Sequence, residues 1–346
     1  MDRRAFINSG IIGAACAVFG ARGTAAVPSG WRQFELGYRI ALASGAGPAR
    51  LWVPVPQDAL DYQRVIDLKL QGSAPTTLWW EPASRAPVVM VAWPADPTSR
   101  EAEITVRVAT RDRSAFSPGS GAAELAEYLR PTASSPTDGI VLTRAREIVG
   151  DRTAPLDKAR AIYDWVVDGT FRRAETRGCG LGNVAFMLES GDMGGKCADI
   201  NSLYVGLARA AGLPARDVFG IRVADSGVTK SLGKSGDVTK AQHCRAEVHI
   251  EGKGWFPVDP ADVRKVVLEE GVPLDSDKVK ALRERLFGSW EMNWTGFNYA
   301  RDLILPGQKE APLGFLMYPY AEAAGGNPDP LDPASFAYTI TATEIT

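Results

Sequence analysis

From Trp31 to about Arg113 apolar and polar residues alternate, as in Phe34-Glu35-Leu36-Gly37-Tyr38-Arg39-Ile40 and Ala102-Glu103-Ile104-Thr105-Val106-Arg107-Val108, with Gly, Pro and Asp between the runs. A period of two puts successive side chains on opposite faces, so this stretch predicts short strands and a small β-sandwich. It contains no His and no Cys, which leaves packing or the shaping of a groove as its expected task. Near Ser114 to Ser120 the alternation ends in a Gly- and Ser-rich stretch, and spacings of three and four residues take over. Ala159, Ile162, Tyr163 and Val166 share one face of a helix predicted over Leu156 to Val167, ahead of the loop holding Cys179. A second helix begins at or just before Cys197, with Ile200, Leu203, Tyr204 and Leu207 as its stripe, and Gly212 and Pro214 stop it. Strand-like runs follow over Arg216 to Val223, His243 to Ile250 and Trp255 to Val258. The last two are joined as a hairpin by Glu251-Gly252-Lys253-Gly254, and Phe336 to Thr341 reads as one more strand. Helices followed by consecutive strands argue an α+β domain built on an antiparallel sheet.

The chain's first residues change the picture of where it works. Asp2-Arg3-Arg4-Ala5-Phe6-Ile7, an apolar stretch from Ile11 to Ala21, and Thr24-Ala25-Ala26 before Val27-Pro28 form a positive region, a short greasy core and a small-residue cleavage site. Paired arginines followed two residues later by Phe resemble a twin-arginine export signal, so residues 1–26 are expected to be a leader and the mature protein periplasmic or secreted. The apolar run is too short for a comfortable span, and no stable membrane insertion is expected once it is removed. The 346 residues carry a formal charge of −2, and losing three Arg and one Asp with the leader makes it −4. No block of like charge stands out to supply a basic face, so nucleic acid is not an expected partner.

Candidate chemistry centres on Cys197. It follows Gly194-Gly195-Lys196 and sits on the first helical turn, where unpaired backbone N–H groups and the helix dipole favour a thiolate. Two glycines before it would let a substrate carbonyl approach the backbone, and the Cys197 N–H could donate to a developing oxyanion. Such a nucleophile needs a base, and the chain holds only His243 and His249. Six residues apart on one strand, they stand about 20 Å from each other, so one can serve Cys197. Across the hairpin Asp259 ends the partner strand near residues 245 and 246, within a residue or two of His243, and a bulge there would close the gap. An aspartate fixing an imidazole's tautomer completes the triad, so Cys197, His243 and Asp259 are the expected catalytic residues and His249 a structural one.

These residues stand in three ordered blocks: Gly-Gly-Lys-Cys197 opening a helix that ends in Ala-Gly-Leu-Pro-Ala-Arg216, then His243-Cys-Arg-Ala-Glu247-Val, then Gly254-Trp255-Phe-Pro-Val-Asp259-Pro260. Over about residues 155 to 262 this resembles the transglutaminase-like superfamily, whose core supplies Cys, His and Asp in this order on a fold related to papain-like proteases. The resemblance implies a nucleophile helix packed on an antiparallel sheet, hence a β-sandwich-like domain over 27–113 and a transglutaminase-like catalytic domain with a C-terminal extension over 114–346. It implies acyl transfer on a peptide or protein substrate, hydrolysis being preferred because no amine-acceptor pocket is identifiable; the residues themselves give no cofactor and no metal ligand set to expect. A non-catalytic envelope binder and an amine-accepting enzyme are the alternatives.

Gly195, Lys196, Arg245, Glu247 and Trp255 are expected to support the site or touch substrate. Bacterial relatives often carry Trp where Arg245 stands, which implies a more polar wall. Glu247 shares a strand face with His243 by parity and is expected either to tune the site or to be solvated. Three cysteines remain after export, and a Cys179–Cys244 disulfide would leave Cys197 free. A zinc site from Cys179, Cys197, His243 and Cys244 has the right residue types but no ligand spacing. Trp290 and Trp294 would share a helical face, as a cleft floor or a core anchor.

Overall fold

A computed structural model describes residues 29–345 apart from 44, 60, 96 and 115, so the expected leader lies outside the described residues. Six strands come first: β1 (Arg32–Ala41), β2 (Ala49–Pro54), β3 (Gln63–Gly72), β4 (Thr76–Trp80), β5 (Pro87–Trp93) and β6 (Glu101–Thr110). Next come β7 (Arg113–Ser114), α1 (Ala122–Glu127), α2 (Gly139–Val149), α3 (Pro155–Gly169), β8 (Phe171–Arg172), α4 (Val184–Ser190), β9 (Gly194–Gly195) and α5 (Cys197–Ala210). The remainder is β10 (Ala215–Arg222), β11 (Gly236–Asp237), β12 (Gln242–Ile250), β13 (Gly254–Val258), α6 (Pro260–Glu269), α7 (Asp277–Arg285), β14 (Ser289–Trp290), β15 (Trp294–Asn298), β16 (Tyr320–Ala323) and β17 (Ala337–Ile345).

The alternating N-terminal runs build two facing sheets. Phe34, Leu36, Tyr38 and Ile40 of β1 point inward against Leu51 and Val53 of β2 and Val89 and Val91 of β5, while the residues between them face outward. Both sheets take in strands from the far end of the chain. The first runs β11-β17-β1-β6-β3 and the second β16-β2-β5-β4. The strand expected at Phe336 to Thr341 does form, but it pairs antiparallel with β1, from Gln33 opposite Ile345 to Ala41 opposite Ala337, instead of extending the catalytic sheet. The region expected as a catalytic extension thus closes the sandwich: without β17, the backbone groups of β1 on that side would stand exposed as an unpaired edge.

The second half is a four-stranded antiparallel sheet, β13-β12-β10-β15, with α5 against one face. Every residue of α5 except Ala210 is buried, because α2 and α3 cover the side turned away from the sheet. The fold is therefore the expected mixture of a nucleophile helix on an antiparallel sheet preceded by a sandwich. Trp290 and Trp294 depart from the expected helical pairing: they lie on the short strands β14 and β15, with ring centroids 5.8 Å apart. No helix among the described residues is long and apolar enough to cross a membrane.

Candidate active site

The start of α5 is fixed by a residue that motif reasoning did not single out. Asp199 reaches back from the third helical position to accept a hydrogen bond from Lys196 N at 2.9 Å, and its other oxygen accepts from Leu181 N and Gly182 N, each at 2.9 Å. One carboxylate thus ties the Cys179 loop to the turn that presents Cys197. The acid at this position was the legible signal for it. The same carboxylate explains the nearby glycines: a Cβ on Gly180, whose φ is +91°, would fall 1.8 Å from Asp199 Oδ2, and one on Gly195 would fall 2.5 Å from Asp199 Cβ. Gly194 is filled in the same way by Phe171 and Arg173. The glycines expected to admit a substrate carbonyl instead make room for the protein's own side chains.

His243 stands at the beginning of β12, and its Nε2–H donates to Asp259 Oδ2 at 2.8 Å. No bulge brings them together. The β12–β13 register runs unbroken from Ile250 opposite Gly254 to Ala246 opposite Val258, and the chain then turns so that Asp259 caps α6, its Oδ1 accepting from Asp262 N at 3.1 Å. Asn201 on α5 completes the clamp, donating to Asp259 Oδ1 at 3.2 Å and to Cys244 O at 2.7 Å. Two further charged groups crowd the imidazole. Asp262 Oδ1 lies 3.4 Å from His243 Nε2 and accepts from Arg222 at 2.6 Å, and Arg245 Nε lies 3.5 Å from Asp259 Oδ2. Arg245 is therefore not a wall of the acyl site. It is buried behind Asp259, over the rings of Trp290 and Trp294.

This environment separates the titrations of thiol and imidazole. Burial pulls the His243 pKa down, but Asp262 and Asp259 outweigh it and the net direction is up. Against the upward pull of burial, Arg222 holds Asp262 well below the carboxylate range, so it stays an anion facing the ring. The Cys197 thiol is held well below its ordinary value, first by a hydrogen bond from Cys179, then by one from Cys244 and, against burial, by His243. Cys179 and Cys244 move the opposite way. The neighbouring Cys197 and burial push Cys179 up, and burial and Cys197 push Cys244 up, so both stay protonated, with the Cys179 thiol donating to Gln242 O at 3.4 Å. The disulfide expected between them is not formed: all three thiols are free and buried. Cys244 faces α5, as strand parity requires, yet this brings it to the site instead of away from it.

Among the described residues, the one His, Cys or carboxylate cluster with metal-ligand spacing is His243, Asp259 and Asp262. Its anions already face the guanidinium groups of Arg222 and Arg245, which oppose a further cation there.

Cys197 and His243 open into a cleft of about 1100 Å³, with Lys196, Arg222 and Tyr318 also on its walls. Two expected neighbours are absent from it. Glu247 is fully buried between Arg113 and Arg216, accepting from Arg216 Nε at 2.7 Å, so it is neither solvated nor in contact with the pair. Trp255 is buried beside it, with Arg216 3.9 Å from its ring centre and its Nε1 donating to Ser120 at 2.8 Å. His249 packs edge-on against Trp255, away from the cleft.

Residues 143–260 match the transglutaminase-like superfamily. An uncharacterized protein of Haemophilus influenzae is 36% identical over 337 residues, spanning 90% of this chain and 91% of that one. The chain belongs to the transglutaminase-like superfamily. A Cytophaga hutchinsonii protein provisionally named a cysteine protease is 15% identical with a TM-score of 0.53, covering 92% of this chain and 89% of that structure, which supports the fold of this transglutaminase-like protein. The periplasmic domain of TgpA from Pseudomonas aeruginosa is 16% identical over 73% of this chain and 93% of its own, with a TM-score of 0.38. The superfamily match spans α5, β10, β12 and β13, the elements that carry Cys197, His243 and the approach to Asp259.

Proposed function

We propose that this transglutaminase-like protein is an exported cysteine-nucleophile enzyme that hydrolyses peptide or carboxamide bonds, with Cys197, His243 and Asp259 as its catalytic triad. The observation that carries the reading is that Cys197 and His243 line one cleft, with the imidazole tied to Asp259 at 2.8 Å; a thiol held low and an imidazole held high agree with it. Such a pair rests as thiolate and imidazolium near neutral pH. Because Nε2 of His243 is engaged by Asp259, Nδ1 is the nitrogen that serves the sulfur.

In the first step Cys197 Sγ bonds to the carbonyl carbon, and the oxyanion that develops faces the Cys197 N–H, one of the donors that a helix leaves unpaired. The C–N bond then breaks as His243 gives its Nδ1 proton to the departing amine. Neutral His243 next takes a proton from water as that water attacks the thioester. The C–S bond breaks, releasing the acid and restoring thiolate and imidazolium. Asp259 fixes the ring throughout, and Asp262, paired with Arg222, adds negative potential that favours the imidazolium. The basic lining of the cleft disfavours a protonated amine as acceptor, so water is the acceptor assigned. Export by the paired-arginine leader would deliver the enzyme to the periplasm or beyond.

Turnover of fluorogenic peptide amides by the purified chain is the test, together with iodoacetamide labelling near pH 7. Selective labelling of Cys197, and loss of turnover by about a thousandfold or more in Cys197→Ala with an unchanged melting temperature, is expected. Full turnover in that variant would defeat the triad. An inert thiol in a folded protein without turnover would identify a non-catalytic binder.

A further inference from the structure

The walls of the cleft beside Cys197 carry eight Arg and Lys residues against three carboxylates. The whole chain has 39 basic and 41 acidic residues, so this local excess opposes the overall balance. The three carboxylates are already engaged. Glu269 is shared by Arg172 at 3.3 Å and Lys265 at 3.6 Å. Glu270 is held by Lys278 and accepts from Ser231 Oγ at 2.6 Å, and Asp237 accepts from Thr239 N at 2.9 Å. By contrast Lys196, Lys230, Lys234 and Lys240 line the cleft, and none has a carboxylate partner among the described residues. Lys230, Lys234 and Lys240 are exposed and Lys196 is half-buried. Lys196 directly precedes Cys197, and Lys240 lies three residues before His243, so positive charge adjoins both members of the catalytic pair.

We propose that this cleft selects acyl donors bearing carboxylates, that is, peptide amides with Asp or Glu next to the scissile carbonyl. A recess with low-dielectric walls focuses the field of its charges, which raises the local concentration and association rate of an oppositely charged ligand. Lysine ammonium groups on flexible stems suit single carboxylates at several positions, whereas planar bidentate recognition would call for arginine. Arg222, the guanidinium deepest in the site, is committed to Asp262 and to Leu232 O and is not free for substrate.

The inference rests on the acyl-transfer reading, and two measurements separate their failures. The first is kcat/KM of the full mature chain on four amides of one length, with Glu, Gln, Lys or phosphoserine on both sides of the scissile position. The Glu peptide should exceed the Gln peptide by about tenfold or more at low salt, the Lys peptide should fall below both, and the gap should close in about 0.5 M NaCl. The triple variant Lys230→Glu, Lys234→Glu, Lys240→Glu should invert the ranking, and arginine at the same positions should keep it. Equal values for the four peptides would overturn the proposal while leaving catalysis standing. A phosphoserine peptide handled better than the Glu peptide would overturn it too, in favour of a phosphate site. The second measurement is anisotropy of the labelled peptides, and of a short oligonucleotide, on Cys197→Ala. Tighter binding of the Glu peptide without any wild-type turnover would sink the acyl-transfer reading and keep the cleft's preference. Tighter binding of the oligonucleotide would mark a general polyanion surface and end the proposal.

Discussion

Strand β12 carries two buried charge clusters, one at its start and one four residues further on, under opposite conditions of access. Glu247 is enclosed: its carboxylate meets Arg113 and Arg216, and those guanidinium groups lie under Tyr62, Trp290, Trp255 and Tyr299. His243, four residues away, is equally buried and lies among Asp259, Asp262 and, beyond them, Arg222 and Arg245, yet its ring opens into the cleft. Burial and perturbed titration are common to both clusters. Access and a thiol on the same cleft are not. Glu247 locks β7, which follows the sandwich, to the sheet of β10 and β12, whereas of the His243 ring nitrogens only Nε2 is engaged in a hydrogen bond among the described residues. A buried charge cluster is therefore evidence of a reactive site only when a cavity and an unsatisfied atom accompany it.

The sharpest way to break this comparison is to remove acceptor function on each side. Asp259→Asn keeps the oxygen that caps α6 but cannot accept from His243 Nε2, so kcat should fall about 10³- to 10⁴-fold with little change in melting temperature. Glu247→Ala leaves the buried Arg113 guanidinium without a carboxylate and Arg216 with only the exposed Glu124, and should cost about 3–5 kcal/mol of stability, read from urea melts, while the folded fraction keeps its kcat. If Glu247→Ala lowered kcat in the fully folded fraction, the two clusters on β12 would not be separate.

The pH dependence should divide in the same way. Burial pushes the Glu247 pKa up, but Arg113 and Arg216 carry it below its ordinary value. Its stabilising contribution is thus fully present above the unfolded carboxylate pKa of about 4.3 and is lost as pH falls through the lower folded value. Glu247→Gln should flatten the acid limb of a stability profile. For the catalytic end, the iodoacetamide rate at Cys197 should hold through neutrality and drop on the acid side as the thiolate takes up a proton. His243→Ala should move that drop to higher pH. Cys179→Ala should move it in the same direction, because Cys179 is the first of the groups that hold the thiol low. The smallest effect expected is that of Arg245→Met, about tenfold in kcat, since it touches Asp259 from behind at 3.5 Å and no reacting atom.

The sequence by itself determined the local elements and the order of the chemical blocks. Period-two alternation marked the sandwich strands, the stripe Ile200, Leu203, Tyr204 and Leu207 marked α5, and the hairpin register put Asp259 within a residue or two of His243, because these depend on neighbours a few residues apart. Tertiary structure alone decided what depends on distant segments meeting. It brought β17 to β1 across about three hundred residues, carried the Cys179 loop to the start of α5, buried Glu247 between Arg113 and Arg216, and gathered scattered lysines into one cleft. The physical reason is that periodicity encodes which face of an element is apolar, whereas burial, proximity and field are sums over whichever elements pack against that face. The lysines show it most clearly: no run of like charge in the chain announces them, and only the packing of the 3₁₀ turn at Lys230–Leu232, the start of β12 and the start of α5 makes a basic wall of them.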